Sequence, residues 1–178
     1  MSLLIIEGPR RSGKSHLSQI QGILPVFKFD FNTNFSLWNF SKQEDRIHWL
    51  GLGKEIMLHE LDQAGYLPKL LVDRGILTNT VWGVFQKRIT IQEARKDLEN
   101  FVKRGFFKGN KIVLVNGKFL SERSKDIWDE DDKRVPEETY LFHMFSDILK
   151  DLGVDVINFT NEMDESSVAR FKTIVKEF

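Results

Sequence analysis

Residues 8–15 read Gly8-Pro9-Arg10-Arg11-Ser12-Gly13-Lys14-Ser15, a complete G-x-x-x-x-G-K-[ST] pattern. Each fixed position has a duty in holding a polyphosphate. The glycine-rich backbone and the start of the helix after it turn N–H groups towards phosphate oxygens. Lys14 reaches the β- and γ-phosphates, and Ser15 offers its hydroxyl to Mg²⁺. The flanks suit this use. Leu3-Leu4-Ile5-Ile6-Glu7 is an apolar run fit for a buried parallel strand, and Lys14 to Gln21 can open a helix. The pattern therefore predicts ATP and Mg²⁺ as cofactors, contacted by Gly8, Pro9, Arg10, Arg11, Ser12, Gly13, Lys14, Ser15 and His16.

Ligands of open parallel sheets lie beyond the carboxyl ends of the strands, and that rule selects the other polar residues able to reach the phosphates. Lys69-Leu70-Leu71-Val72-Asp73 stays apolar until its last residue. Asp73 there can hold Mg²⁺ directly or through water, joining Ser15 as a metal ligand, and Arg74 can fork onto a phosphate. Asp30 ends the preceding strand and faces the same cleft. Thr160 and Asn161 follow the last strand, where an adenine would lie. Between Ser121 and Arg134 ten of 14 residues are charged. A run of this kind is a solvated loop by default. Placed before the helix from Pro136, it is expected to act as a lid, about 119–135, that folds over the phosphates. Arg123, Lys125, Lys133 and Arg134 would then offset transition-state charge, with Arg123 and Arg134 the catalytic candidates. Trp38 and Phe40 are candidates for stacking on an acceptor base. His16, His48, His59 and His143 have no i,i+4 partner and form no helical metal site.

Positioning these groups needs alternating strands and helices. Strands are expected at 3–7, 26–30, 69–73, 111–115 and 154–159. Helices are expected from Lys14, from the capping box Ser41-Lys42-Gln43-Glu44 to about Ala64, over 76–87, and from the capping box Thr90-Ile91-Gln92-Glu93. Two more run from Pro136 towards Gly153 and over 162–177. The alternation predicts an α/β domain of three layers, α/β/α, around a five-stranded parallel sheet. A rival local reading turns 112–120 into a hairpin with Asn116-Gly117 at its type I′ turn. With 178 residues and no linker or repeat, one domain, 1–178, is expected.

Composition narrows the partners. Twenty-six basic residues balance 26 acidic ones, which disfavours nucleic acid as the principal partner. The chain has no cysteine, so disulfides, thiolate metal sites and cysteine nucleophiles are excluded. No apolar stretch reaches the roughly 20 residues of a membrane span, and no leader is expected before so early a phosphate loop. A cytoplasmic protein is the expectation, with monomer and homodimer both open.

The phrase Leu3 to Ser15, together with Leu70-Leu71-Val72-Asp73-Arg74-Gly75 and Thr78-Asn79-Thr80-Val81-Trp82, resembles the P-loop nucleoside and nucleotide kinases, thymidylate kinases above all. The resemblance implies the P-loop kinase fold and a nucleotide or nucleoside acceptor. It implies that Arg11 acts on the transferring phosphoryl group, and that Asp73 and Arg74 manage Mg²⁺ and the acceptor phosphate. The chain departs from that family at Arg10, where an aspartate is usual, and at Lys28-Phe29-Asp30-Phe31-Asn32, where Arg-Glu-Pro-Gly is expected. Asp30 followed by Trp38 is similar to deoxynucleoside kinases. The short chain is also similar in style to phage-encoded kinases, some of which act on modified nucleotides or on hydroxymethyluracil in DNA, and for such a member the location would be the host cytoplasm.

Three functions follow for comparison. A monophosphate acceptor already carries a nucleophilic oxygen and needs only charge capture, by Arg74 and Arg10. A hydroxyl acceptor, on a deoxynucleoside or on DNA, needs a base, and Asp30 is the candidate. A non-kinase ATPase or switch would need no acceptor pocket. The two loop arginines favour the monophosphate, and DNA is the less favoured acceptor.

Overall fold

The computed structural model describes residues 3–28, 43–117 and 135–178, with the side chains of 43–50 outside that description. Five strands, β1 (Leu3–Glu7), β2 (Val26–Lys28), β3 (Leu70–Asp73), β4 (Lys111–Gly117) and β5 (Asp155–Asn161), form one sheet in the order β2-β3-β1-β4-β5. Every neighbouring pair is parallel. Between the strands run α1 (Lys14–Ile20), α2 (Gln43–Gln63), α3 (Ile76–Phe85), α4 (Ile91–Lys103) and α5 (Val135–Asp151), and α6 (Glu165–Glu177) follows β5.

Strand parity sorts the apolar side chains into two cores, because successive residues of a strand point to opposite faces. Leu3, Ile5, Leu70, Val72, Ile112 and Leu114 join Leu58 of α2, Leu77 and Val81 of α3, Leu98 of α4 and Phe142 and Phe145 of α5. Leu4, Ile6, Leu71, Val113 and Val115 pack on the other face against Leu17 of α1 and Phe171 and Val175 of α6. Burial on both faces explains why β1, β3 and β4 read as unbroken apolar runs. The three layers expected from the sequence are those observed.

The same parity aims the polar ends. Glu7 falls in the Leu3/Ile5 series and so faces α3. Asp73 falls in the Leu71 series and faces α1. Asp73 pairs in register with Ile6 and with Lys28, which fixes how far it projects relative to the loop after β1.

Boundaries shift by a few residues. Thr90 caps α4 as the expected capping box, its side chain accepting from Glu93 N while Glu93 reciprocates. The hairpin reading of 112–120 is overturned. Asn116 and Gly117 continue β4 and pair with Thr160 and Asn161 of β5, so no turn forms there. Val135, at the edge of the expected lid, is already the first residue of α5 and is buried. The cap at Ser41 lies outside the described residues.

Candidate functional site

The loop from Gly8 to Ser15 leaves β1 and enters α1, and its shape is braced by neighbours on three sides. Gly13 has φ +83°, and a Cβ there would sit 2.2 Å from Asn161 Nδ2. Only glycine satisfies both demands. Asn161 Nδ2 donates to Ser12 O at 2.9 Å, and Asn161 Oδ1 accepts from Met163 N at 3.0 Å. Asn161 is buried and Thr160 exposed. Of the two residues expected at the adenine, one is thus engaged in holding the phosphate loop.

On the opposite flank, Arg10 meets α5. Arg10 N and Nε donate to the two carboxylate oxygens of Glu138, at 3.1 and 3.0 Å. Its guanidinium also lies 5.0 Å from the centre of the Trp82 ring. Glu138 is 1% exposed, so the pair is strongly held. The sequence marks Glu138 only as an acid of a helical first turn, since nothing local reveals a partner 128 residues away. Of the two cations expected to receive an acceptor phosphate, Arg10 is thus already half of an ion pair on an aromatic shelf.

Lys14 lies at the centre, 4% exposed. Its Nζ donates to Pro9 O at 2.5 Å and to Ser12 Oγ at 3.1 Å. Burial, and next the Arg74 guanidinium, bring its ammonium down to about 7, against the smaller upward pull of Glu7, Glu138 and Asp73. Arg74 thus adds a second positive charge near enough to Lys14 to act on its ammonium. Among the described residues Arg74 has no ion pair. A buried ammonium under the influence of a second cation favours an anion as its partner. Arg11 adopts φ 61° and is exposed, as is His16.

Ser15 Oγ donates to Asp73 Oδ2 across 3.4 Å, and Lys28 Nζ is 3.9 Å from the same oxygen. Asp73 Oδ1 is buried with no hydrogen-bond partner among the described residues. A buried carboxylate oxygen without a donor, beside a hydroxyl, fits a hard cation that draws its remaining ligands from water and phosphate. Among the described residues no cluster of three metal-binding side chains occurs. Asp30, Trp38, Phe40, Arg123, Lys125, Lys133 and Arg134, and with them the lid, lie outside the described residues.

Behind Asp73 stands a buried ionic group legible in the sequence only as scattered charges. Glu7 Oε1 accepts from Gly75 N, Leu77 N and Thr78 N at 2.8, 3.1 and 3.3 Å, and Glu7 Oε2 accepts from Thr78 Oγ1. One carboxylate thus satisfies the open N–H groups of the first turn of α3. Burial raises its pKa, while Thr78, Lys54 and Gly75 pull it back. Gly75 permits the contact, since a Cβ there would lie 2.7 Å from Ile5 Cγ2 and 3.0 Å from Glu7 Oε1.

The whole chain is similar in fold to several solved structures. It matches thymidylate kinase from Candida albicans with a TM-score of 0.63 at 18% identity, covering 98% of this chain and 91% of the other. It matches the YorR protein of Bacillus subtilis, solved with phosphorylated GDP, at 0.61 and 17%, covering 98% and 94%. The deoxyadenosine kinase of M. mycoides with bound dCTP gives 0.60 at 10%, over the full length of both chains. The chain has the P-loop nucleotide kinase fold. No family model and no curated protein sequence matches it. No described helix is long and apolar enough to cross a membrane.

Proposed function

We propose that this protein is an ATP- and Mg²⁺-dependent phosphotransferase whose acceptor is a deoxynucleoside monophosphate. The observation that carries the reading is Arg74, a cation without an ion pair among the described residues, one residue after the Asp73 carboxylate at the end of β3 and near enough to lower the Lys14 ammonium. Lys14 and the loop bind the β- and γ-phosphates. Arg74 takes the acceptor phosphate and brings its oxygen in line with the γ-phosphorus. A bond forms from that oxygen to phosphorus as the bond to the β-bridging oxygen breaks, and ADP leaves. No strong base is needed, because the acceptor oxygen is already anionic, so the protein's share is positioning and charge neutralisation. Mg²⁺, held by Ser15 and Asp73, would neutralise charge on the β- and γ-oxygens. Arg11 remains the loop residue proposed to act on the moving phosphoryl group, and Thr160 with Asn161 the residues proposed nearest the adenine. His16, Arg123 and Arg134 complete the proposed nucleotide contacts, with Trp38 and Phe40 stacking on the acceptor base.

The Arg10–Glu138 pair favours one second reading, a hydroxyl acceptor with Asp30 as base, because it engages one of the two guanidinium groups expected to grip a monophosphate. Such an acceptor would be a deoxynucleoside or 5-hydroxymethyluracil in DNA. Incubation with γ-labelled ATP and the four deoxynucleoside monophosphates, their nucleosides and hydroxymethyluracil-containing duplex separates the readings. Label in a diphosphate product supports the first. Label in a monophosphate or in DNA, lost in Asp30→Asn, replaces it with the second.

A further inference from the structure

Arg74 has φ 73°, a left-handed backbone that costs a non-glycine residue about 1 kcal/mol or more. The peptide group that follows it is gripped at both ends by buried charges. Its carbonyl, Arg74 O, accepts from Lys54 Nζ of α2 at 2.6 Å. Its N–H, that of Gly75, donates to Glu7 Oε1 of β1 at 2.8 Å. Lys54 is itself paired with Glu55 Oε1 at 2.6 Å. Lys54, Glu55 and Glu7 are 6%, 7% and 0% exposed. Burying three charges is costly, and replacing such a group with apolar residues is often neutral or stabilising, so stability alone is a weak reason for it. What the group does achieve is geometric. Fixing both ends of one peptide fixes ψ of Arg74 and φ of Gly75, and with them the direction in which the Arg74 side chain leaves the backbone.

We propose that Lys54, braced by Glu55 and opposed by Glu7, is the positioning residue that aims the Arg74 guanidinium at the acceptor phosphate. The docking of α2 is thereby tied to capture of the acceptor, while the nucleotide loop is served by other braces, Asn161 and Glu138. This inference rests on the reading of Arg74 as the acceptor grip.

Lys54→Met removes the donor but keeps most of the stem, and Lys54→Arg keeps the charge. Both are assayed beside Arg74→Ala and the double variant Lys54→Met/Arg74→Ala, with the deoxynucleoside monophosphate that turns over fastest as acceptor and calorimetric ATP binding as control. The loss expected for Lys54→Met is about tenfold or more in kcat/KM for the acceptor, the scale of a lost charge-assisted hydrogen bond. ATP affinity should stay within about twofold, Lys54→Arg should recover most of the loss, and the double variant should be no worse than Arg74→Ala alone. Wild-type acceptor kinetics in Lys54→Met, or losses that multiply in the double variant, would overturn the proposal. If Lys54→Met fails to fold, Glu55→Gln carries the test. A smaller acceptor defect that vanishes in the Arg74→Ala background is expected there, and unchanged kinetics overturn the idea. Arg74→Ala alone judges the underlying reading: if it leaves transfer intact, the acceptor grip is wrong, whereas an impaired Arg74→Ala with a silent Lys54→Met sinks only the role of Lys54.

Discussion

Lys14 carries a proton balance that can be measured. Its ammonium titrates near 7 in the folded protein against 10.5 for a free lysine. Between those values the unfolded chain holds more protons than the folded one, so this residue makes stability rise with pH across that window and fall as pH drops towards 7. A polyphosphate beside Lys14 raises its pKa again, so ATP binding at pH 8 to 9 should take up close to one proton, and affinity should fall by up to about tenfold per pH unit above 7. Calorimetry in buffers of different ionisation enthalpy reads the uptake directly. Lys14→Arg, always charged, should show none; equal uptake in that variant would assign the proton elsewhere. Lys14→Ala should abolish transfer while leaving the fold intact, and an active variant would remove the loop from the chemistry. Glu7 makes a sharper structural prediction. Glu7→Ala strands the N–H groups of Gly75, Leu77 and Thr78 in a buried place, and the expected cost is about 3 kcal/mol or more, read as a lowered denaturation midpoint.

At the scale of elements, strand parity decided most of what the sequence could show. Runs such as Leu3–Ile6 and Leu70–Val72 announce strands buried on both faces, and the Thr90–Glu93 capping box locates the start of α4 to the residue. Thr90→Ala should cost about 1 kcal/mol, measured by denaturant unfolding, and a neutral result would mean that this helix start is held by packing alone. The positions of the loop between β1 and α1 and of Asp73 at the end of β3 were legible for the same local reason, since spacing and strand ends lie within a few residues of each other. Contacts across the fold were not. Glu138 reaching Arg10, Asn161 reaching Ser12 and Lys54 reaching the Arg74 carbonyl join residues 20 to 149 positions apart. At Asn116-Gly117 only the rival hairpin reading fails, while the expected strand 111–115 holds and runs on to Gly117. The pair has the composition of a tight turn, but parallel pairing with Thr160 and Asn161 keeps it extended.

Across the whole molecule, order β2-β3-β1-β4-β5 sets β1 between β3 and β4, so that the loop after β1 and the turn after β3 open side by side at the carboxyl ends of the strands. Each half then has its own braces. Asn161 from the end of β5 and Glu138 from α5 hold the nucleotide loop, whereas Glu7 and the Lys54–Glu55 pair hold the turn that carries Arg74. Donor and acceptor functions should therefore separate under mutation. Asn161→Ala should weaken ATP binding with little change in acceptor KM, a pattern that fluorescence titration and steady-state kinetics resolve together. Equal losses on both sides would mean that the two halves act as one unit.

Steady-state kinetics of Arg74→Ala test the central claim most directly, with γ-labelled ATP and the preferred deoxynucleoside monophosphate. The expected result is a fall of about tenfold or more in kcat/KM for the acceptor, as for a lost charged contact to a phosphate, with ATP still bound. Unchanged acceptor kinetics, or label released only as inorganic phosphate whatever acceptor is present, would contradict the account.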